Sequence, residues 1–199
     1  RDTSRKIRAV NKTKGSRGIP LTTNVPYGYM KNPDEPTRWL VDEEAAIVVK
    51  YIFKMAMEGR GPSQIATQLT KDKVLTPTAY KQKQGLNTPQ ATPENPSKWH
   101  QTTVRKILER REYTGCIVNF KTFTNSIWDK KKRDNPVENH SVFYDTHEAI
   151  IPEDIFEKVQ VLRQNRQRRS KTGKTSLFSG MVYCADCGEK LYYCTAKNF

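Results

Sequence analysis

The chain has 199 residues, 35% of them hydrophobic, with four cysteines and a formal net charge of +14. That length suits one sizeable domain or two small ones, and no apolar run approaches the ~20 residues of a membrane span. No signal peptide opens the chain, and four cysteines in so long a chain do not make a disulfide framework, so a reducing, cytoplasmic setting is expected.

The charge is concentrated rather than spread. Residues 1–17 hold seven basic side chains against one acid, Asp2, and residues 158–174 hold seven more and no acid. Two basic arms of this kind point to a polyanion, with nucleic acid the usual partner because each phosphate contact releases a counterion. The start at Arg1 and the stop at Phe199 read as the limits of a piece of a larger protein.

Residues 1–14 are polar and basic, with Ile7 and Val10 as sparse apolar positions, and fit the end of a helix. In KGSRGIPLTTNVPYGY, Gly15, Gly18, Pro20 and Pro26 interrupt regular structure, so an extended arm carrying Arg17 is expected. Two short strands follow, at 27–31 and 37–41. Asp42 caps the clearest helix, where Ala45, Val48, Val49, Ile52 and Ala56 recur at helical spacing and Tyr51, Phe53 and Met55 widen the apolar face. Gly59 and Gly61 end it, and Pro62 or Ser63 starts a second helix with Ile65, Ala66 and Leu69 as its stripe. Residues 76–98 are polar and proline-rich and are assigned no element.

A third helix starts near Gln101 and runs on through TTVRKILERREY, with Val104, Ile107 and Leu108 as its underside. Thr102, Lys106, Glu109 and Arg110 point the other way, flanked by Thr103 and Arg105. An aliphatic underside beneath a Thr/Lys/Arg face is the layout of a recognition helix. More than twenty residues separate it from the second helix, where a helix-turn-helix proper uses about 3–4. The spacing therefore permits a helix-turn-helix-like arrangement with an inserted loop and equally an ordinary helical bundle. Beyond it come β-rich segments, GCIVNFKTF and SVFYDTHEAII, and a helix, PEDIFEKVQVLRQNRQRR, whose apolar positions stop at Leu162. Past that point it reads as a charged linker.

Cys184 and Cys187 have the spacing of one zinc knuckle, with Gly188 easing the turn behind them. The competing reading is a redox Cys-x-x-Cys, which opens a helix, whereas the flanks here look like strands. A structural site needs four ligands. Cys194 has an unsuitable offset, so the remaining ligands are expected beyond Phe199 and the site is incomplete in this piece. His100, His140 and His147 show no metal spacing; His147 reads as a packed or capping residue, and Cys116 as a small buried hydrophobe. Trp99, Tyr27 and Tyr29 read as core anchors rather than stacking platforms. No phosphate-cradling loop, nucleophile elbow or acid/base pair is present, so no active site is expected.

Taken in order, SRKIRAVNKTKGSRG, PYGY, VDEEAAIVVKYIFKMAMEG, PSQIATQL, W…TVRKILERREYTG, HEAIIPEDIFEKVQ and YCADCGEKL resemble the succession seen in large serine recombinases. These are the integrases and transposases of phages and of conjugative or mobilisable elements, and the SRKIR start is most similar to the mobile-element branch. The resemblance covers essentially the whole chain. It implies a catalytic domain upstream of Arg1 whose serine cleaves DNA through a phosphoserine link; Ser4, Ser16 and Ser63 do not match that serine. It implies residues 1–14 as the end of a long helix, 15–165 as the recombinase domain, 166–176 as a basic linker and 177–199 as the first half of a zinc ribbon. The expected fold is α+β: a mainly helical, helix-turn-helix-like DNA-binding domain with a small antiparallel sheet, then a linker helix and a truncated ribbon.

The expected partner is a double-stranded attachment half-site. The resemblance places the reading helix at 101–110 and the arm at 15–22, giving Arg17, Thr22, His100, Gln101, Thr102, Thr103, Arg105, Lys106 and Arg110 as DNA-contacting candidates, joined by Arg166, Arg168 and Arg169 in the basic linker. Cys184 and Cys187 are the expected zinc ligands. The whole protein is expected to act as a dimer or tetramer, and this piece as a monomer. A free-standing zinc-ribbon regulator of DNA or RNA is the alternative.

Overall fold

The computed structural model describes residues 2–22, 24–86, 88, 91, 94–124, 129, 131–164, 181–189 and 191. Among these, six helices and three two-stranded antiparallel sheets make an α+β fold. Helix α1 (Asp2–Ser16) runs two residues further than the glycine at position 15 led us to expect, and hairpin β1 (Tyr29–Lys31) with β2 (Trp39–Val41) pairs Tyr29 with Val41 and Met30 with Leu40.

Helix α2 (Glu43–Met57) is the core's centre. Asp42 caps it as expected, its Oδ1 accepting the Ala45 N–H at 3.3 Å, and Glu43 and Glu44 occupy the positive end of the dipole. Asp42 also accepts hydrogen bonds from the Tyr80 hydroxyl and the Gln84 amide, so one buried carboxylate joins α2 to the segment around residue 80. Ala45, Ala46, Val49, Ile52, Phe53, Met55 and Ala56 are buried. Tyr51 is not part of that face: it stands exposed, its hydroxyl 3.3 Å from Asp72. Helix α3 (Pro62–Lys71) buries Ile65, Ala66 and Leu69, with proline at its first position and Gln64 Oε1 accepting the Gly61 N–H.

The stretch assigned no element contains a helix, α4 (Pro77–Lys83), capped by Thr76 and buried through Ala79 and Tyr80. Helix α5 (Gln101–Leu108) is shorter than its sequence pattern. The chain breaks into a 3-10 turn at Arg111–Thr114. The reason is Tyr113: nine residues of continuous helix would carry it to about 180° from Val104, away from the core. The break instead buries it completely, with its hydroxyl donating to the Tyr27 carbonyl at 2.8 Å. Burial pushes the Tyr113 phenol above the ordinary tyrosine range.

Strand β3 (Ile117–Asn119) pairs with β6 (Ser141–Phe143), and β4 (Thr122–Phe123) with β5 (Arg133–Asp134), so the expected charged loop carries a short strand of its own. Helix α6 (Glu153–Gln164) packs on α2 through Phe156 and Val159, whereas Leu162 is already exposed. Trp99, Tyr27, Tyr29 and Cys116 are buried as expected, and the Trp99 indole donates to the Val74 carbonyl at 2.9 Å. His147 packs edge-on against Tyr29 and hydrogen-bonds the Glu112 carbonyl through Nε2. That carbonyl can only accept, so Nε2 carries a proton, and Nδ1 lies 2.9 Å from the Thr146 hydroxyl, which donates to the Gly115 carbonyl. Among the described residues, no helix is long and apolar enough to cross a membrane.

Candidate nucleic-acid interface

Helix α5 is held on three sides. Val104, Ile107 and Leu108 sit in the core against α2 and α3, and the Trp99 backbone N–H donates to Thr70 Oγ1 in α3 just ahead of the helix. At the far end, Gln160 of α6 donates to the Leu108 carbonyl at 2.8 Å, satisfying one of the acceptors a helix end leaves open. Glu109 accepts from Arg163 at 2.7 Å, and Arg163 in turn donates to Gln160 at 2.7 Å. These bonds fix the helix's roll, and with it which side chains face outward.

That outer side carries Gln101, Thr102, Arg105 and Lys106, all exposed, with Thr103 half-buried beside them. His100, also exposed, occupies the N-cap position and supplies no side-chain cap. Gln101 is partly committed, because its Oε1 accepts from Ser63 of α3 at 2.6 Å. Arg105 lies 3.8 Å from Glu109, a solvent-exposed pair that is cheap to break. Lys106 has no ion pair among the described residues.

Arg110 differs from the expectation. It lies beyond the helix end in extended backbone and is half-buried. Its charge, second to burial, lowers the pKa of Lys81 in α4, and Lys81 donates to the Val25 carbonyl at 3.2 Å. Lys81 therefore ties the segment after the arm to α4, with the Arg110 charge close by. Sequence reading missed it because α4 was missed; the Thr76–Pro77 cap ahead of Ala79 and Tyr80 was the available signal. Ser63 was also missed, and a shallow cleft on the outer side of α3, lined by Arg60, Gln64, Thr67, Gln68 and Lys71, had no signal beyond polarity.

Arg17 and Thr22 are exposed on the segment that follows α1. The irregular arm starts at Arg17 rather than Gly15, because Gly15 is the buried penultimate residue of the helix. Arg166, Arg168 and Arg169 lie outside the described residues, as does Cys194.

The cysteine segment is a tight turn. Cys184 N–H donates to the Glu189 carbonyl at 2.8 Å, Gly188 N–H to the Cys184 carbonyl at 3.0 Å, and Leu191 N–H to the Val182 carbonyl at 2.9 Å. Gly188 has φ +70°, which a side chain would strain. The backbone N–H of Cys187, and then that of Asp186, point at the Cys184 sulfur and hold its thiol below the usual cysteine range. Two thiols presented this way fit half of a tetrahedral zinc site. Among the described residues no third His, Cys, Asp or Glu joins them.

A family model described as Recombinase matches residues 43–166. The chain is 33% identical over 96 residues to "Uncharacterized protein YefB" of Bacillus subtilis (strain 168), across 48% of this chain and 32% of YefB. Two solved structures align with a TM-score of 0.49. "Crystal Structure of a LSR-DNA Complex" has 18% identity and covers 92% of this chain and 46% of that one. "Sequence Requirements of the Listeria innocua prophage attP site" has 20% identity and covers 90% and 62%. The chain thus spans less than two thirds of each of these relatives. The family segment takes in more than half of the chain, from the start of α2 to just past α6, and the protein belongs to the Recombinase family.

Proposed function

We propose that this chain is the part of a large serine recombinase that recognises attachment-site DNA during integration and excision of a mobile element. In this reading α5 enters the major groove, in the manner of the second helix of a helix-turn-helix whose connecting turn has been replaced by α4 and its loop. The arm from Arg17 to Thr22 follows the adjacent minor groove, where an arginine responds to groove width. The basic linker with Arg166, Arg168 and Arg169 tracks the backbone toward the ribbon. Cys184 and Cys187 are two of the four ribbon ligands; zinc, when bound, cross-links the turn to the ligands supplied elsewhere. The catalytic serine belongs to a domain outside this chain, so the piece binds and does not cleave.

The observation that carries the reading is the division of α5. Three aliphatic side chains are all but fully buried, and Thr102, Arg105 and Lys106 stand on the opposite, exposed side of an eight-residue helix fixed at both ends. Duplex DNA and single-stranded RNA of equal length, competed over a salt series, test it. Duplex is expected to win at every salt concentration, with log affinity falling by about 0.9 per log salt for each phosphate neutralised. Preferential binding of the RNA contradicts the reading and favours a module that stacks splayed bases.

A further inference from the structure

The junction between α1 and the arm is held by backbone hydrogen bonds from the Arg17 and Ile19 N–H groups to the Lys14 carbonyl and from the Gly18 N–H to the Gly15 carbonyl, and by one side chain from about a hundred residues further along the sequence. Asn119, the last residue of β3, is 3% exposed and uses both its side-chain polar atoms on that junction. Its Nδ2 donates to the carbonyls of Gly15 (3.1 Å) and Ile19 (3.0 Å), and its Oδ1 accepts the Leu21 N–H (3.3 Å). The Gly15 carbonyl belongs to the last turn of α1 and accepts the Gly18 N–H at 3.3 Å as well, so Asn119 fills its second acceptor site. The other two groups belong to the arm. Close packing reinforces the contact: a Cβ on Gly15 would run into the Phe120 ring and come within 2.9 Å of Leu21 Cδ1.

Arg17 lies midway between the two clamped carbonyls and is itself exposed. We propose that Asn119 is a positioning residue, a latch that fixes the path of the arm relative to α1 and so aims Arg17 before DNA arrives. This rests on the reading that the arm contacts DNA. An ordered arm spares the cost of ordering it on binding, and a helix entering from outside the domain is thereby held in one relation to the groove the arm occupies. Aspartate at position 119 keeps the acceptor but faces two carbonyls with no donor, which makes Asn119→Asp the sharpest disruption.

The test is a double-mutant cycle on duplex affinity with the whole chain, using Arg17→Ala, Asn119→Asp and the pair, and repeated with Asn119→Ser in case the aspartate variant does not fold. Arg17→Ala is expected to weaken wild-type binding, Asn119→Asp to weaken it by about tenfold, and Arg17→Ala to cost almost nothing further once Asn119 is replaced. Hydrogen exchange in the free protein should show the Leu21 amide losing protection in Asn119→Ser while the amides of α2 keep theirs. Additive losses, or an unchanged Leu21 amide, overturn the latch while leaving DNA contact by the arm standing. No effect of Arg17→Ala in the wild-type background removes the arm from the interface, and the latch with it.

Discussion

Lys121→Met is expected to lower the unfolding free energy by about 3 kcal/mol, read by urea denaturation. Glu112 is buried, and its Oε1 pairs with the Lys121 ammonium. Its other oxygen, Oε2, is also buried and has no hydrogen-bond partner among the described residues. One cation therefore compensates that carboxylate, and removing it leaves a charge the core cannot solvate. Lys121 is 41% exposed, which keeps the loss at the lower end for a broken buried pair. Glu112→Gln in the same chain should recover most of the loss, because a neutral amide has no need of the cation. A cycle with no coupling between the two positions would show that the pair contributes nothing. The site matters for function because Glu112 belongs to the 3-10 turn after α5, and its carbonyl receives His147. Loosening this turn loosens the exit of α5, the helix proposed to read DNA.

Lys106→Ala is expected to weaken binding to a preferred half-site by about 1–3 kcal/mol, with a smaller loss on a scrambled duplex, if its ammonium reads a base edge. Electrophoretic titration of both duplexes over a salt series measures it. Lys106 is the better choice over Arg105, which first has to leave Glu109, and over Arg110, which is half-buried past the end of the helix. An equal loss on both duplexes, with a shallower salt slope, would assign Lys106 to the phosphate backbone instead.

The helices that pack directly on the core were legible because composition, caps and periodicity agree there. In α2, Asp42 caps, the first turn is acidic and apolar residues recur at helical spacing; in α3, proline stands at the first position ahead of an Ile65–Leu69 stripe. The exposed side of α5 was legible for the same reason: three aliphatic residues at helical spacing fix which side is left over. What escaped the sequence depends on contacts distant along the chain. Helix α4 has seven residues and two buried ones, too few for a periodic signal, and it is anchored by Tyr80 on Asp42, 38 residues away. The end of α5 at Leu108 follows from Tyr113 turning inward to the Tyr27 carbonyl. The arm's true start follows from Gly15 meeting Phe120 and from Asn119 reaching back 98 to 104 residues. None of these partners stands near the residue it controls, and the one local trace is the Thr76–Pro77 cap of α4.

Selection of this chain against a pool of random DNA duplexes at near-physiological salt tests the central claim most directly. The account predicts enrichment of one extended motif, with a base-specific core for α5 beside an A/T-rich step for the arm, and loss of that core's enrichment in Lys106→Ala. Retention of duplexes without enrichment of any sequence would contradict it, reducing the chain to a basic surface that holds DNA without reading it.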